Sequence, residues 1–146
     1  MALNYNVRPS VKFVQENLLL IAVAFVSGAM LLWPYVRRVG GGPSVSAAQA
    51  TQLINREDAL VLDVRDPGEY GTGHILGAKN VPLARIEGAG SEIAAKRKDK
   101  PVIVYCDDGG RSTKAAAALR TQGFAKVVQL SGGLGAWQQA GLPTEK

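Results

Sequence analysis

VIVYCDDGGRSTKAAAALR, residues 102–120, decides the fold. Pro101 leads into Val102-Ile103-Val104-Tyr105, an apolar run of strand length with no alternation. A run apolar at every position marks a strand buried on both faces. Cys106–Arg111 is a glycine-containing loop, Ser112–Thr121 has the composition of a helix, and Gly123 is placed to close that helix. A buried strand, a glycine loop and a helix in that order predict a crossover unit of a parallel sheet.

The flanking sequence repeats the alternation. Ser46 with Gln49 makes a capping box, opening a helix over Ala47–Asn55 with Ala50, Leu53 and Ile54 on one face. Ala59-Leu60-Val61-Leu62, between Arg56-Glu57-Asp58 and Asp63, reads as a buried strand, and Asp66-Pro67-Gly68 as a turn. A brief strand is expected at Asn80-Val81, and a surface helix over Ser91–Lys98 with Ile93 and Ala94 inward. Val127–Leu130 is a further strand, followed by Gly132-Gly133, a helix through Trp137, then Gly141 and Pro143. Strands alternating with helices predict an α/β domain over residues 46–146, its central parallel sheet covered on both faces. No internal repeat is present.

The N-terminal third has a different character. Residues 17–36, NLLLIAVAFVSGAMLLWPYV, hold no charge, and about 20 such residues suffice for one helix to cross a bilayer. Trp33 and Tyr35 lie at one end with Arg37-Arg38 after them, as at a membrane interface. The run is too long for the apolar region of a cleaved signal peptide, and Trp-Pro-Tyr-Val-Arg-Arg is a poor cleavage site. Residues 1–38 are therefore expected to form a single-pass anchor, and residues 39–45, around Gly40-Gly41-Gly42, a flexible linker. Positive charge is nearly tied across the span, with Arg8 and Lys12 on one side and Arg37 and Arg38 on the other.

Of 146 residues, 17 are Lys or Arg and 12 are Asp or Glu, for a net charge of +5. Arg8, Lys12, Arg37 and Arg38 against Glu16 give +3 to residues 1–43, leaving thirteen bases against eleven acids, or +2, in the rest. That balance offers no basic face for nucleic acid. One cysteine and one histidine exclude a disulfide framework and any cysteine-rich metal site, and no cofactor is expected.

A thiol at the carboxyl end of a strand and just before a helix meets inward-turned amides and the positive end of the helix dipole. With Arg111 nearby, that setting favours thiolate, the nucleophilic form. Gly109 and Gly110 permit the tight path that brings amides around the sulfur. A lone cysteine is most often a small core residue, but such a residue needs no glycines and arginine behind it.

The chain resembles the rhodanese-like (sulfurtransferase) family over nearly all of residues 44–146. The family's active-site loop is a cysteine, four residues ending in glycine, then an arginine, here Cys106-Asp107-Asp108-Gly109-Gly110-Arg111. Its upstream pattern is VLDVRDPGEYGTGHILGAKNVP, Val61 to Pro82, and its downstream one LSGGLGAWQQAGLP, Leu130 to Pro143. An anchor ahead of one such domain is similar to a membrane-tethered bacterial subgroup. The resemblance implies a three-layer fold and a sulfur-transfer cycle. Cys106 would take sulfane sulfur from a donor such as thiosulfate or a persulfide, hold it as a persulfide, and pass it to a thiol acceptor. The loop from Asp107 through Asp108, Gly109 and Gly110 to Arg111 would bind it, with Arg111 holding an anionic donor. Phosphatase loops of the protein-tyrosine type place five residues between cysteine and arginine, usually with a histidine before the cysteine; here there are four and Tyr105.

Asp107 and Asp108 bring two negative charges into the loop, so poor thiosulfate affinity is expected unless both project away. His74, Asp63, Arg65, Glu69 and Trp137 have structural readings, as core or loop-bonding residues. The Lys96-Arg97-Lys98 and Lys100 run reads as a solvated face that could also meet anionic lipid. The alternative to an enzyme is an interaction module that the anchor localises; family members without activity usually lack the cysteine, which this chain keeps. A lone reactive thiol suits a reducing compartment, which leans the domain toward the cytoplasmic side of an inner membrane. The tether suggests a membrane-protein partner, but no residue identifies one.

Overall fold

The structure is a computed structural model that describes residues 9–39, 42–89, 93 and 98–146. It divides into two compact units, residues 1–40 and 41–146.

The first unit contains α1 (Pro9–Glu16) and α2 (Leu18–Val39). Asn17 interrupts the helix only locally, since its amide reaches Phe13 and its carbonyl accepts from Ile21. Large apolar side chains of α2 stand open, with Leu19 and Met30 79% exposed. Among the described residues no helix is long and apolar enough to cross a membrane.

The second unit contains β1 (Ser44–Val45), α3 (Ala47–Glu57), β2 (Leu60–Asp63), α4 (Pro67–Thr72), β3 (His74–Ile75) and β4 (Lys79–Asn80). After a 3-10 turn at Leu83–Arg85 come β5 (Val102–Tyr105), α5 (Gly110–Thr121), β6 (Val127–Leu130), α6 (Gly133–Gln139) and β7 (Thr144–Glu145). Five strands form a parallel sheet in the order β1-β6-β5-β2-β4. Alternate residues of the central strands point to opposite faces. Leu60, Leu62, Val102 and Val104 pack with Ala115, Ala116 and Leu119 of α5. Val61, Ile103 and Tyr105 pack with Ala50 of α3 and Leu134 and Trp137 of α6. Those two cores make the expected three layers, and Trp137 is core, its indole N–H donating to the Pro143 carbonyl.

Several boundaries differ from the sequence reading. Ser44–Val45, expected within the linker, pairs with Gln129 and Leu130 of β6. Asp66-Pro67-Gly68 opens a helix instead of a turn, because Pro67 takes the first helical position and Glu69 accepts from the Asp66 amide. The brief strand expected at Asn80-Val81 is Lys79–Asn80. β3 and β7 form a separate antiparallel pair, which two-residue strands give no periodicity to announce. The helix expected over Ser91–Lys98 lies largely outside the described residues. So do Lys96 and Arg97, whereas Ile93 is helical and packs on the α5 core.

Candidate active site

β5 ends at the carboxyl edge of the sheet, and Cys106 follows it, fully buried. Gly109, at φ +82, turns the chain into α5; that left-handed conformation suits a residue without Cβ. The turn brings two amides onto the sulfur: Gly109 N–H donates to Sγ at 3.1 Å and Ser112 N–H at 3.3 Å. Both lie at the N-terminus of a twelve-residue helix, whose dipole adds to their pull on negative charge.

A polar lattice beneath the loop holds this turn. The Ser112 and Thr113 hydroxyls both donate toward the Gly109 carbonyl, at 3.0 and 2.8 Å, and both approach Oε1 of Gln129 on β6. Sequence reasoning passed over Ser112, Thr113 and Gln129. The available signal was Gln129 itself, a polar residue inside the apolar strand Val127–Leu130.

From behind, α6 approaches closely. The Leu134 amide donates to the Cys106 carbonyl at 3.3 Å. Gly133, at φ +56, is placed so that a Cβ would lie 1.8 Å from that carbonyl oxygen. Gly133→Ala is therefore expected to lose at least about 2 kcal/mol of stability, from clash and left-handed strain together. Chemical denaturation measures it, and an unchanged midpoint would show that the two segments separate freely.

Asp63 and Arg65, both buried, lie under the other side of the loop. Asp63 accepts from Nε of Arg65 at 3.0 Å and from Nη2 at 2.7 Å. Arg65 also donates to the Gly73 carbonyl and, through Nη1, to Asp107 at 3.3 Å. Burial works against the Arg65 charge, but the hydrogen bonds and charge of Asp63 outweigh it and raise the pKa. Both residues bond neighbouring segments, as their position in the sequence suggested.

The two loop aspartates part company. Asp107 turns to Arg65, with a second, looser approach to Arg111 at 3.7 Å. Asp108 stays beside the sulfur: its Oδ1 lies 3.4 Å from Sγ as acceptor for the thiol and also accepts the Gly110 amide at 3.1 Å. Those two donors hold the Asp108 carboxyl below the usual carboxylate range.

Arg111, expected to hold an anionic donor, is paired across the loop. Its Nη1 and Nη2 meet the two carboxylate oxygens of Glu69 at 2.6 and 2.9 Å. The Arg111 hydrogen bonds, with that of the Asp66 amide, pull Glu69 down to about 2. A carboxyl lowered in the folded state stabilises the fold above its unfolded pKa and ceases to as the pH falls through its folded one. The contribution from Glu69 is thus complete above about 4.5 and fades toward about 2. Acid unfolding of Glu69→Gln should lack that component; an acid limb identical to wild type would refute the assignment.

His74 stacks on Tyr70 with ring centroids 3.6 Å apart, and its Nδ1 sits 3.0 Å from the Tyr70 carbonyl, a structural role. Among the described residues, no group of three or more His, Cys, Asp or Glu side chains could hold a metal ion.

The family model for the Rhodanese-like domain matches residues 46–140. A sulfurtransferase of Allochromatium vinosum is 40% identical over 98 residues, which is 67% of this chain and 89% of that protein. The thiosulfate sulfurtransferase GlpE of Pseudoalteromonas translucida is 38% identical over 96 residues, 66% of this chain and 89% of the relative. The crystal structure of the Alr3790 protein from Anabaena sp. is similar at a TM-score of 0.63 and 32% identity, covering 69% of this chain and 80% of that one.

Proposed function

The chain belongs to the rhodanese-like domain family, and we propose that it is a membrane-anchored sulfurtransferase carrying sulfane sulfur as a persulfide on Cys106. The observation that carries this reading is the pair of helix N-terminal amides on Sγ. They stabilise negative charge on the attacking thiolate, and after transfer can stabilise it on the persulfide. The names of the sulfurtransferase relatives support the same reaction class.

In the first half-reaction the Cys106 thiolate attacks the outer sulfur of the donor. A new S–S bond forms, the donor's own S–S bond breaks, and the leaving group departs with that electron pair. In the second, an acceptor thiolate attacks the outer sulfur of the persulfide and Cys106 leaves as thiolate. No net oxidation occurs. Because Cys106 is buried, a donor reaches its sulfur only after the groups that cover it shift.

The anchor rests on residues 17–36 and on the open apolar side chains of α2. We place the domain on the cytoplasmic side, where thiols stay reduced; strong activity of a periplasm-dependent reporter fused after Lys146 would overturn that.

Intact-mass measurement of the full chain in detergent tests the chemistry. After exposure to thiosulfate or a thiol persulfide, a gain of about 32 Da that maps to Cys106 is expected. No gain with any donor would leave an anchored interaction module as the surviving reading.

A further inference from the structure

Resting on the sulfur-carrier reading, we infer that the loop selects its donor by charge. Asp108 beside the sulfur, with both neighbouring arginines already neutralised, directs the site toward persulfides whose carrier thiol is cationic or set among basic side chains, and away from anionic donors.

An anionic donor needs an available cation at the loop. Arg111 presents both terminal nitrogens to Glu69, and a two-pronged guanidinium–carboxylate pair occupies the very donors an oxyanion would take. Arg65 is consumed in the same way by Asp63, with its remaining nitrogen on Asp107. Asp66 adds a further carboxylate 3.9 Å from Arg111. Among the described residues, four carboxylates thus face the two guanidiniums, Asp63, Asp66, Glu69 and Asp107, and a fifth, Asp108, stands at the sulfur. Glu69 and Asp108, lowered by their hydrogen bonds, remain charged at neutral pH.

Asp108 is the discriminating member. The other four carboxylates pair with an arginine, whereas Asp108 accepts from the Cys106 thiol and the Gly110 amide. An approaching anion meets its charge within a few ångströms of the reacting sulfur, and a cationic carrier is drawn toward it. In the transfer, the Cys106 thiolate attacks the terminal sulfur of R–S–SH. The Cys106–S bond forms, the carrier's S–S bond breaks, and the carrier leaves as RS⁻ with the electron pair while the proton stays on the new persulfide. A cationic R offsets the charge that builds on the leaving sulfur.

Two persulfides of nearly equal size test this on the full chain in detergent: that of cysteamine, with an ammonium tail, and that of 3-mercaptopropionate, with a carboxylate tail. The rate of the mass gain on Cys106 is followed with each. The ammonium donor should load about tenfold faster at low salt, and the gap should narrow as the ionic strength rises. Asp108→Asn, which keeps an oxygen for the Gly110 amide, should shrink the preference severalfold. Should that variant not fold, the wild-type preference and its salt dependence decide alone. Equal loading by the two donors overturns the charge selection, and a preference untouched by Asp108→Asn overturns the part given to Asp108. Failure of both donors to load Cys106 would instead overturn the carrier reading beneath it.

Discussion

Cys106→Ser is expected to abolish sulfur transfer, lowering turnover by on the order of a thousandfold or more. A serine hydroxyl is not ionised at neutral pH and cannot hold sulfur as a persulfide, so both half-reactions are lost at one atom. No other residue can substitute, because the chain has a single cysteine. The fold should survive the change. Oγ is smaller than Sγ but can accept from the same Gly109 and Ser112 amides, and Asp108 remains as acceptor for the hydroxyl proton. Sulfur-transfer assays beside circular dichroism separate the two effects. Residual turnover within tenfold of wild type, with the fold retained, would mean that sulfur passes directly between donor and acceptor and is never carried by the chain.

The largest expected loss of stability is at Asp63→Ala, about 3–5 kcal/mol. Asp63 is fully buried and Arg65 nearly so. Removing the carboxylate leaves a buried guanidinium with the Gly73 carbonyl, the more exposed Asp107 and the Tyr105 ring for partners. The loss should be smaller when both members are replaced, as in Asp63→Ala with Arg65→Met, because no uncompensated charge then remains in the core. Denaturant unfolding measures each variant. A loss below about 1 kcal/mol for Asp63→Ala alone would show that Arg65 escapes to water and that the pair is less confined than its burial implies. The same substitution should slow sulfur transfer as well, because Arg65 is the tether of Asp107 and so of the first residue of the loop.

Much of the domain could be read along the chain. The strand at Val102–Tyr105, the glycine loop and the helix after it are local features, written in a continuous apolar run, two glycines and a stretch of alanines. Ser46 and Gln49 announced α3 through a capping box, which involves only four consecutive residues. The two-residue strands β1, β3 and β7 were not legible, because pairing across the sheet defines them and no periodicity does. α4 hid behind Asp66-Pro67-Gly68, a motif that serves equally as a turn and as a helix start.

At the site the same division holds. Cysteine at the end of a buried strand, glycines behind it and a helix to follow predict a thiol in an amide cradle, which the Gly109 and Ser112 amides on Sγ form, since each property lies within a few residues of Cys106. The electrostatic character of that cradle is another matter. Arg111 and Glu69 are 42 residues apart, as are Arg65 and Asp107, and their pairing depends on how α4 and β2 are brought against the loop. Packing converts an arginine that looked free to bind anions into one already neutralised. It sends Asp107 to Arg65 and leaves Asp108, its neighbour in the chain, against the sulfur. Charge acts through space over several ångströms, whereas composition and spacing describe the order of residues along the backbone, so the sign of the field at Cys106 emerges only once the segments meet.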